Sequence, residues 1–375
     1  MYLRARWVFP ITKPPIENGA VVVEGDRIVY VGKNPPNPPL QKGGKGGFID
    51  LGDSILLPGL VNVHCHLEFR SPSPPPLPQR ERETVNFTEW VKEMQNPPTP
   101  PFSKGGFSFD RLLQTGTTTV ADHCNPGTPR IDTPFRRIIF WEVLGAAKDR
   151  AEASFKQAQQ RSVSEGGFIT PHSFYAVHKD VSCRFPSSLQ SIHLLESSDE
   201  DECLRHGTGP LADYVKERGG SISSSANLLQ YVPSRSLLIH GNYLNSPEIG
   251  ALRDSNASVI HCPGSHRFFG HRRFPLEELK RAGVRIALGT DSLASNEALS
   301  MLREMRLLKK SYPELDEAEI LKMATIEGAR ALGMEKEIGS IEVGKKADLI
   351  AVSGSVLEAK QVAFSMINGK LCLNP

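Results

Sequence analysis

The feature that most constrains the fold is an alternation of short apolar runs with longer amphipathic stretches over most of the chain. The apolar runs have the length of strands and the amphipathic stretches have helical periodicity. This order is typical of a parallel sheet whose strands are connected by helices. The predicted strands are residues 59–63, 117–121, 191–194, 237–240, 258–261 and 284–288, and the predicted helices include 275–282, 299–311 and 316–332. We therefore predict an α/β fold, either a parallel barrel or a doubly wound sheet.

Both ends of the chain carry a different pattern, that of short β-strands joined by tight turns. Near the N-terminus, Gly25 lies in a turn between two β-branched runs, which is typical of a hairpin. Near the C-terminus, Asn368-Gly369 is a strong signal for a tight turn. Neither end is long enough to fold alone, so we expect them to share one small β domain. The predicted boundaries are 1–56 and 334–375 for the small domain and 57–333 for the α/β domain.

Two segments rich in proline and glycine interrupt this pattern and look like copies of one element. They are residues 34–48 (NPPNPPLQKGGKGGF) and 96–107 (NPPTPPFSKGGF). Such a composition cannot pack a core, so we predict inserted surface loops, which cost little stability. A functional lid or a proline-rich docking segment is the alternative. A third proline-rich loop, residues 71–78, directly follows the first histidine motif, and this position favours a lid role there.

Charge and hydropathy exclude several classes of protein. The 375 residues include 44 Lys and Arg and 42 Asp and Glu, and this near balance argues against the clustered basic surface that binds nucleic acid. No apolar run reaches the length of a membrane span, and the N-terminus lacks the pattern of a signal peptide. The cysteines form no C-x-x-C pair and are expected to be reduced thiols. We therefore expect a cytoplasmic protein that contacts neither nucleic acid nor membrane.

Histidine and acidic residues stand at the ends of four predicted strands. They are His64 and His66, then His193 with Glu196, then His240, and finally Asp291. Side chains at positions i and i+2 of a strand point to the same side, so His64 and His66 are placed to bind one metal ion. A lone histidine at a strand end is usually structural, but four such ends in succession are hard to attribute to chance. Because the active sites of barrels lie at the C-terminal ends of their strands, this clustering favours the barrel.

On these residues and their surroundings, the chain resembles the amidohydrolase superfamily. The branch it resembles contains triazine hydrolases, guanine deaminase and the deaminases of S-adenosylhomocysteine, methylthioadenosine and aminodeoxyfutalosine. The matching segments are PGLVNVHCHLEF (58–69), GTTTVADH (116–123), PHSFYAV (171–177), HLLES (193–197), HGNYL (240–244), GTDSLASN (289–296) and GSIEVGKKADL (339–349). They span nearly the whole chain. The resemblance implies a (β/α)8 TIM-type barrel with a small β-sandwich domain built from both chain ends.

The resemblance also implies roles for the polar residues. One divalent metal ion would be bound, with zinc as the first expectation and iron or manganese as alternatives. The implied ligands are His64, His66, His193 and Asp291. Glu196 would carry protons, His240 would polarise the reacting centre, and Asp291 would also orient the nucleophile. No lysine ends the strand near His172, which argues against a carbamate-bridged pair of metal ions.

The predicted substrate contacts rest on weaker signals. They are Glu68, His172, His266, Ser295 and Asn296. His172 resembles a substrate-contacting histidine, although Phe174 stands where the family commonly has proline. Residues 261–273 (HCPGSHRFFGHRR) could stack a purine or meet a carboxylate, and a solvated charged loop is the alternative. Trp90 and Glu142 could also reach the pocket, or serve only the core.

Together these features predict a metal-dependent hydrolytic deaminase of an aminated heterocycle. The substrate would be a small purine-nucleoside-like molecule, such as aminodeoxyfutalosine or an adenosine derivative, from which activated water displaces ammonia. Hydrolysis of another cyclic C–N bond or of a C–Cl bond is the alternative reaction, and an inactive metal-binding homologue is the non-enzyme alternative. The zinc cytidine deaminase fold is excluded because its P-C-x-x-C motif is absent. A homodimer is a further expectation.

Overall fold

The computed structural model describes residues 1–33, 47–69, 85–95, 109–182, 184–185, 188–222 and 224–373. Three sequence predictions lie outside these residues: the insertion at 96–107, the proline-rich loop at 71–78, and positions 34–46 of the first insertion. The described part mixes strands and helices throughout, which confirms the predicted α/β class.

The strands fall into a terminal group and a central group. In the described residues they are β1 (Tyr2–Val8), β2 (Ile16–Glu24), β3 (Arg27–Gly32), β4 (Phe48–Asp50), β5 (Ser54–Pro58), β6 (Leu60–Cys65), β7 (Thr117–Cys124), β8 (Arg136–Val143), β9 (Phe168–Pro171), β10 (Gln190–Leu194), β11 (Ser236–His240), β12 (Ser258–His261), β13 (Arg285–Leu288), β14 (Leu349–Ser353), β15 (Phe364–Ile367) and β16 (Lys370–Leu373). All six strands predicted from sequence are found, as β6, β7, β10, β11, β12 and β13.

The helices connect the central strands. Within the described ranges they are α1 (Phe87–Gln95), α2 (Phe109–Gln114), α3 (Lys148–Glu165), α4 (Lys179–Ser182), α5 (Ser198–His206), α6 (Pro210–Glu217), α7 (Ser246–Leu252), α8 (Pro263–Phe269), α9 (Leu276–Arg281), α10 (Met301–Ser311), α11 (Glu317–Met323) and α12 (Ile326–Leu332), with a 3-10 turn at Leu228–Tyr231. None of the described helices is both long and apolar enough to cross a membrane.

The predicted helix over 316–332 is in fact two helices, α11 and α12. The chain breaks at Thr325, whose backbone has φ −134° and ψ −92°. The Thr325 hydroxyl donates to the carbonyl of Leu321. A threonine that bonds to a preceding carbonyl competes with the regular ladder, so it can bend or interrupt a helix whose apolar periodicity continues.

The two chain ends pair in one sheet, as their turn patterns predicted. Its strand order is β16-β15-β14-β5-β1-β2-β3, and β4 pairs with β1. The ends meet where β14 runs antiparallel to β5. The predicted tight turn joins β15 to β16, with φ 49° at Asn368 and 71° at Gly369, the left-handed pair that a two-residue hairpin requires. The exact domain boundaries and the sandwich shape stay predictions.

The central strands form two parallel four-stranded sheets, β6-β7-β8-β9 and β10-β11-β12-β13, each in chain order. In the described residues, isolated bridges join the two sheets, at Ser173–His193 and Cys65–Asp291. A continuous closed ladder of eight strands is therefore not formed. Strands such as β6 and β7 are buried along their whole length. This burial is typical of parallel sheets covered on both faces.

Candidate active site

The predicted histidines and acids meet at the C-terminal ends of the central strands. His64 lies in β6, His193 in β10 and His240 at the end of β11. Among the described residues, three groups have ligand atoms within 4.8 Å of one another. The predicted metal-binding and catalytic residues make up two of them, His64, His66 and His193 in one, and Glu196, His240 and Asp291 in the other, while the third joins Glu142 and His172 to His193. All six predicted residues are buried. The structure thus brings together every residue that the sequence assigned to metal binding or catalysis.

Four of these side chains are spaced as ligands of one ion would be. The Nε2 atoms of His64 and His193 are 3.2 Å apart, and Asp291 Oδ1 lies 3.4 Å from His64 Nε2. The distance from Asp291 Oδ1 to His66 Nε2 is 3.7 Å. Tetrahedral ligands about 2.1 Å from a zinc ion would stand about 3.4 Å from one another. The donor set of three imidazoles and a carboxylate therefore fits a small divalent ion.

Each of the three imidazoles has its other nitrogen engaged behind the site. His66 Nδ1 lies 3.0 Å from the carbonyl oxygen of His123, and His193 Nδ1 lies 3.0 Å from that of His172. His64 Nδ1 lies 3.1 Å from Nδ1 of His123. Such outer contacts hold the Nδ1 proton and leave Nε2 unprotonated, which is the form that binds a metal ion.

The protonation states agree with that role. Burial lowers the pKa of His64 and of His193 well below the ordinary value, and neighbouring histidines lower it further. Burial alone would raise the pKa of Asp291, but the hydrogen bond and charge of His64 outweigh burial and hold that pKa below its usual range. Metal ligands must be neutral imidazoles and ionised carboxylates, so His64, His193 and Asp291 are in the required forms near pH 7. His66 differs, because burial alone would lower its pKa but the charges of Glu142 and Asp291 outweigh burial and raise it, so this ring would lose a proton on binding a metal ion.

Glu196 and His240 form a second pair beside this cluster. Glu196 Oε1 lies 3.4 Å from His240 Nε2. Burial, with the charges of Asp291 and Glu200, raises the pKa of Glu196 well above its ordinary value. Burial lowers the pKa of His240 to about 4. Two neighbouring groups whose environments move their pKa values apart are typical of acid–base chemistry.

The backbone is strained where it delivers these side chains. Leu195, His240 and Asp291 have φ values of 55°, 69° and 59°, in the left-handed region that residues other than glycine seldom adopt. Gly289 precedes Asp291 where the chain passes close to His64, and a Cβ on that glycine would lie 2.8 Å from the Cβ of His64. Strain of this kind clusters at functional sites, because the surrounding structure must hold it in place.

A cavity of about 650 Å³ opens over the cluster. His66, His193, Glu196, His240 and Asp291 form its floor, and the predicted substrate contacts Glu68 and His172 also line it. Glu68 accepts hydrogen bonds from the Asn125 backbone and the Thr128 hydroxyl. Burial raises the pKa of Glu68 to about 7.

Three predicted substrate contacts do not line this cavity. Ser295 donates its hydroxyl proton to Asp291 Oδ2, so it supports that carboxylate. The Asn296 amide donates to Glu304 Oε1 at 2.9 Å and to the Thr290 carbonyl at 2.8 Å. His266 is turned to the carbonyl of Arg272, at 2.8 Å. These polar contacts are made to other groups of the protein, and the role of the three residues in substrate binding stays a prediction.

Other residues at the site were missed or left open by the sequence. Trp90 and Glu142, which sequence left undecided, both line the cavity. Burial alone would raise the pKa of Glu142, but the nearby His172 and His66 outweigh burial and lower it. Arg150 and Arg218 also line the cavity and were not predicted, because surface helices commonly carry arginine. His123 lay within a recognised segment, but nothing in that segment indicated which neighbours it would meet.

Known proteins resemble this chain over nearly all of its length. The sequence model of the Amidohydrolase family matches residues 55–372. The 5-methylthioadenosine/S-adenosylhomocysteine deaminase of Moorella thermoacetica is 31% identical over 378 residues, covering 92% of this chain and 83% of the relative. The aminodeoxyfutalosine deaminase of Nitratiruptor sp. is 29% identical and covers 79% of this chain and 78% of its own length.

Solved structures of related proteins have a fold similar to that of this chain. Helicobacter pylori aminofutalosine deaminase in complex with methylthio-coformycin matches with a TM-score of 0.82 and 23% identity, covering 99% of this chain and 100% of that one. An adenosine deaminase from Xanthomonas campestris with bound zinc matches with a TM-score of 0.72 and 25% identity, covering 100% and 92%. This chain belongs to the amidohydrolase family, and it is an enzyme of the hydrolase class that acts on carbon–nitrogen bonds.

Proposed function

We propose that this chain is a metal-dependent deaminase that replaces the amino group of an adenosine derivative with oxygen. One observation carries the proposal. Glu196 and His240, whose pKa values are moved in opposite directions, face the same cavity as His66, His193 and Asp291 of the proposed metal site. The similarity to deaminases of adenosine-like nucleosides supports this choice of reaction.

We assign the metal ion to His64, His66, His193 and Asp291. Zinc is the first expectation because imidazole and carboxylate ligands suit it and a structural relative holds zinc. Iron and manganese are the alternatives. When bound, the ion would supply the Lewis acidity that activates a water molecule at neutral pH.

Glu196 would move the protons of the reaction. In its ionised form, which the positive charge of a bound metal ion would favour, it takes a proton from the attacking water as the new C–O bond forms. It then gives that proton to the ring nitrogen beside the attacked carbon. The second proton passes from the new hydroxyl group on that carbon to the amino nitrogen, the C–N bond breaks as the C=O bond forms, and ammonia leaves. Ser265 and Ser295 both donate to the Oδ2 atom of Asp291 and hold that carboxylate in place. In this position Asp291 would orient the attacking water.

His240 would act on the substrate directly. Its Nε2 atom is buried and has no hydrogen-bond partner among the residues that the structure describes. Leaving a buried polar atom unpaired is costly, so a substrate that supplies the partner is bound more tightly. With its pKa lowered to about 4, the ring is neutral and can donate one hydrogen bond to charge that develops at the reacting centre.

The cavity wall indicates the rest of the substrate. Phe87, Trp90 and Met94 give one side of it an apolar and aromatic surface. Arg150 and Arg218 line the same cavity, and the Arg218 guanidinium lies 4.9 Å from the centre of the Tyr214 ring. A purine would pack on the apolar side, and an anionic group elsewhere on the molecule would meet the guanidinium groups. We therefore propose an adenosine derivative that carries a carboxylate.

We also propose that β6 to β13 form the eight-stranded barrel of the family, with the small β domain at 1–56 and 334–375. The sequential order of both parallel sheets and the two bridges between them support this arrangement.

The described cysteines Cys65, Cys124, Cys203, Cys262 and Cys372 are free thiols. The cytoplasmic location and the homodimer stay predictions.

Ammonia release from a panel of substrates tests the function. The panel is methylthioadenosine, S-adenosylhomocysteine, aminodeoxyfutalosine and adenosine, each with protein loaded in turn with zinc, iron or manganese. We expect ammonia and the corresponding deaminated purine from at least one of them, with the carboxylate-bearing compounds preferred. No ammonia from any compound with any metal would contradict the proposal. Ring opening or loss of chloride from other heterocycles would then favour the alternative hydrolases.

A further inference from the structure

His123 lies behind the site and takes no part in the proposed reaction. Its side chain is wholly buried and stacks on Phe140, with ring centres 4.8 Å apart and planes inclined by 7°. Its two nitrogens face two different residues. Nδ1 lies 3.1 Å from His64 Nδ1, and Nε2 lies 2.6 Å from the hydroxyl oxygen of Ser191. These contacts connect three side chains in a row, ending at a residue of the metal-binding cluster.

The positions of the hydrogens along this row follow from the chemistry of imidazole. A neutral ring carries one N–H, and the other nitrogen accepts. His64 Nε2 faces His193 Nε2 and Asp291 Oδ1, so it must be unprotonated to bind a metal ion. The proton of His64 is then on Nδ1 and is donated to His123 Nδ1. His123 must carry its own proton on Nε2, and it donates that proton to Ser191.

We propose that His123 and Ser191 are positioning residues that hold the metal-binding tautomer of His64, with His123 Nδ1 accepting the His64 proton and Ser191 holding the His123 ring. The opposite tautomer of His123 would point a proton at the Nδ1 proton of His64, and Ser191 would then donate to His123 Nε2 instead of accepting from it. Relief of that clash would move the His64 proton to Nε2, where it blocks a metal ion. This inference rests on the proposed function, because the required state of His64 is set by metal binding.

His123 also contacts a second member of the cluster. Its backbone carbonyl accepts from His66 Nδ1 at 3.0 Å. One residue at the end of β7 therefore orients two of the proposed ligands, one through its side chain and the other through its backbone. A substitution at His123 removes only the side-chain contact, so its effect isolates the control of His64.

Ser191 is itself held in place by the neighbouring strand. Its backbone N–H donates to the Thr170 hydroxyl at 2.9 Å, and that hydroxyl donates to the Ser191 carbonyl at 2.5 Å. The backbone of Ser191 is therefore fixed two residues before His193 on β10. From this position its hydroxyl holds the His123 ring in place, as outer-sphere partners of metal ligands commonly do.

The row of contacts from Ser191 through His123 to His64 is called the relay here. Zinc affinity measured by competition with a chromophoric chelator tests the relay without requiring turnover. Loss of an outer-sphere partner commonly weakens metal binding about 10- to 100-fold, so Ser191→Ala and His123→Leu are expected to fall in that range. His123→Asn keeps an acceptor near the Nδ1 position and should stay within about threefold of the unaltered protein. Ser365→Ala is the matched control, because Ser365 is buried in the terminal sheet and its hydroxyl has no hydrogen-bond partner in the described part of the chain.

Nitrogen-15 NMR of the zinc-loaded protein tests the same inference directly. We expect the protons of His64 on Nδ1 and of His123 on Nε2. Protonation of His123 on Nδ1, or unaltered zinc affinity in both Ser191→Ala and His123→Leu, would overturn the relay alone. If the unaltered protein binds none of zinc, iron and manganese, the metal site is overturned and the relay with it. Thermal unfolding of each metal-free variant shows whether that variant is folded. The NMR result does not depend on the variants, so it stands even if His123→Leu does not fold.

Discussion

Replacement of Glu196 by glutamine changes the proton carrier while keeping its size. Glutamine retains an oxygen and a nitrogen near the 3.4 Å contact with His240 Nε2. It cannot accept a proton from water and pass it on. The buried carboxyl of Glu196 has a raised pKa, so near neutral pH its burial opposes ionisation. We therefore expect the variant to fold at least as stably as the unaltered protein and to keep its metal.

The size of the effect follows from what else could carry the proton. His240 has a pKa lowered to about 4 and Asp291 has a lowered pKa, so at pH 7 His240 is a neutral imidazole, Asp291 is a carboxylate, and neither is an acid that could protonate the substrate. With no substitute nearby, the variant should lose the full contribution of general acid–base catalysis. That contribution is about 10²- to 10⁴-fold in kcat, or about 3–5 kcal/mol of activation free energy.

The assay compares ammonia release, metal content and thermal unfolding in the same preparations. Glu217→Gln is the matched control, since Glu217 is an exposed glutamate at the end of α6. Turnover within a factor of ten of the unaltered protein, with metal retained, would refute the role of Glu196. Loss of metal from the variant would instead make Glu196 a ligand.

Two further substitutions test the cavity wall and the buried acids. Arg218→Met should raise KM for a carboxylate-bearing adenosine analogue about tenfold, as expected for loss of one charge-assisted contact, while KM for a neutral analogue is unaffected. Arg253→Met, at an exposed arginine, is the control. Equal effects of Arg218→Met on both analogues would argue against a carboxylate site. Burial raises the pKa of Glu200 to about 8. Between about pH 4.5 and 8 its carboxyl group is therefore protonated in the folded protein and ionised in the unfolded chain, so its contribution to stability falls as the pH rises. Glu200→Gln should reduce the decline of the unfolding free energy with pH over this range by up to about 1.4 kcal/mol per pH unit. Urea unfolding measures this, with Glu217→Gln as the control. An unchanged slope of unfolding free energy against pH would show that Glu200 does not titrate in this range.

The metal cluster could be predicted because of a general property of parallel sheets. Residues that follow successive parallel strands emerge at the same edge, whatever lies between them in the chain. His64, His193, His240 and Asp291 each follow an apolar run that was recognised as a strand, so their convergence could be inferred without coordinates. The turn at Asn368-Gly369 was predictable for a local reason, since few other residue pairs adopt its backbone angles.

Residues beside Asp291 show where sequence spacing carries less information. Ser295 and Asn296 follow Asp291 by four and five positions, and proximity in sequence made them look like substrate contacts. The structure turns Asn296 toward Glu304, on α10, and turns Ser295 back onto Asp291. Which way a polar side chain points in an irregular segment depends on partners from other elements, and sequence spacing carries no information about them.

The sequence by itself therefore determined the α/β class, the pairing of the chain ends and the identity of the residues that meet at the strand ends. Periodicity and turn chemistry are local properties, so they can be read without a fold. Only the tertiary structure decided the contacts behind the site, such as His123 between His64 and Ser191. Those three residues come from three strands, and their register against one another is fixed by packing and hydrogen bonding across the sheets rather than by any one segment.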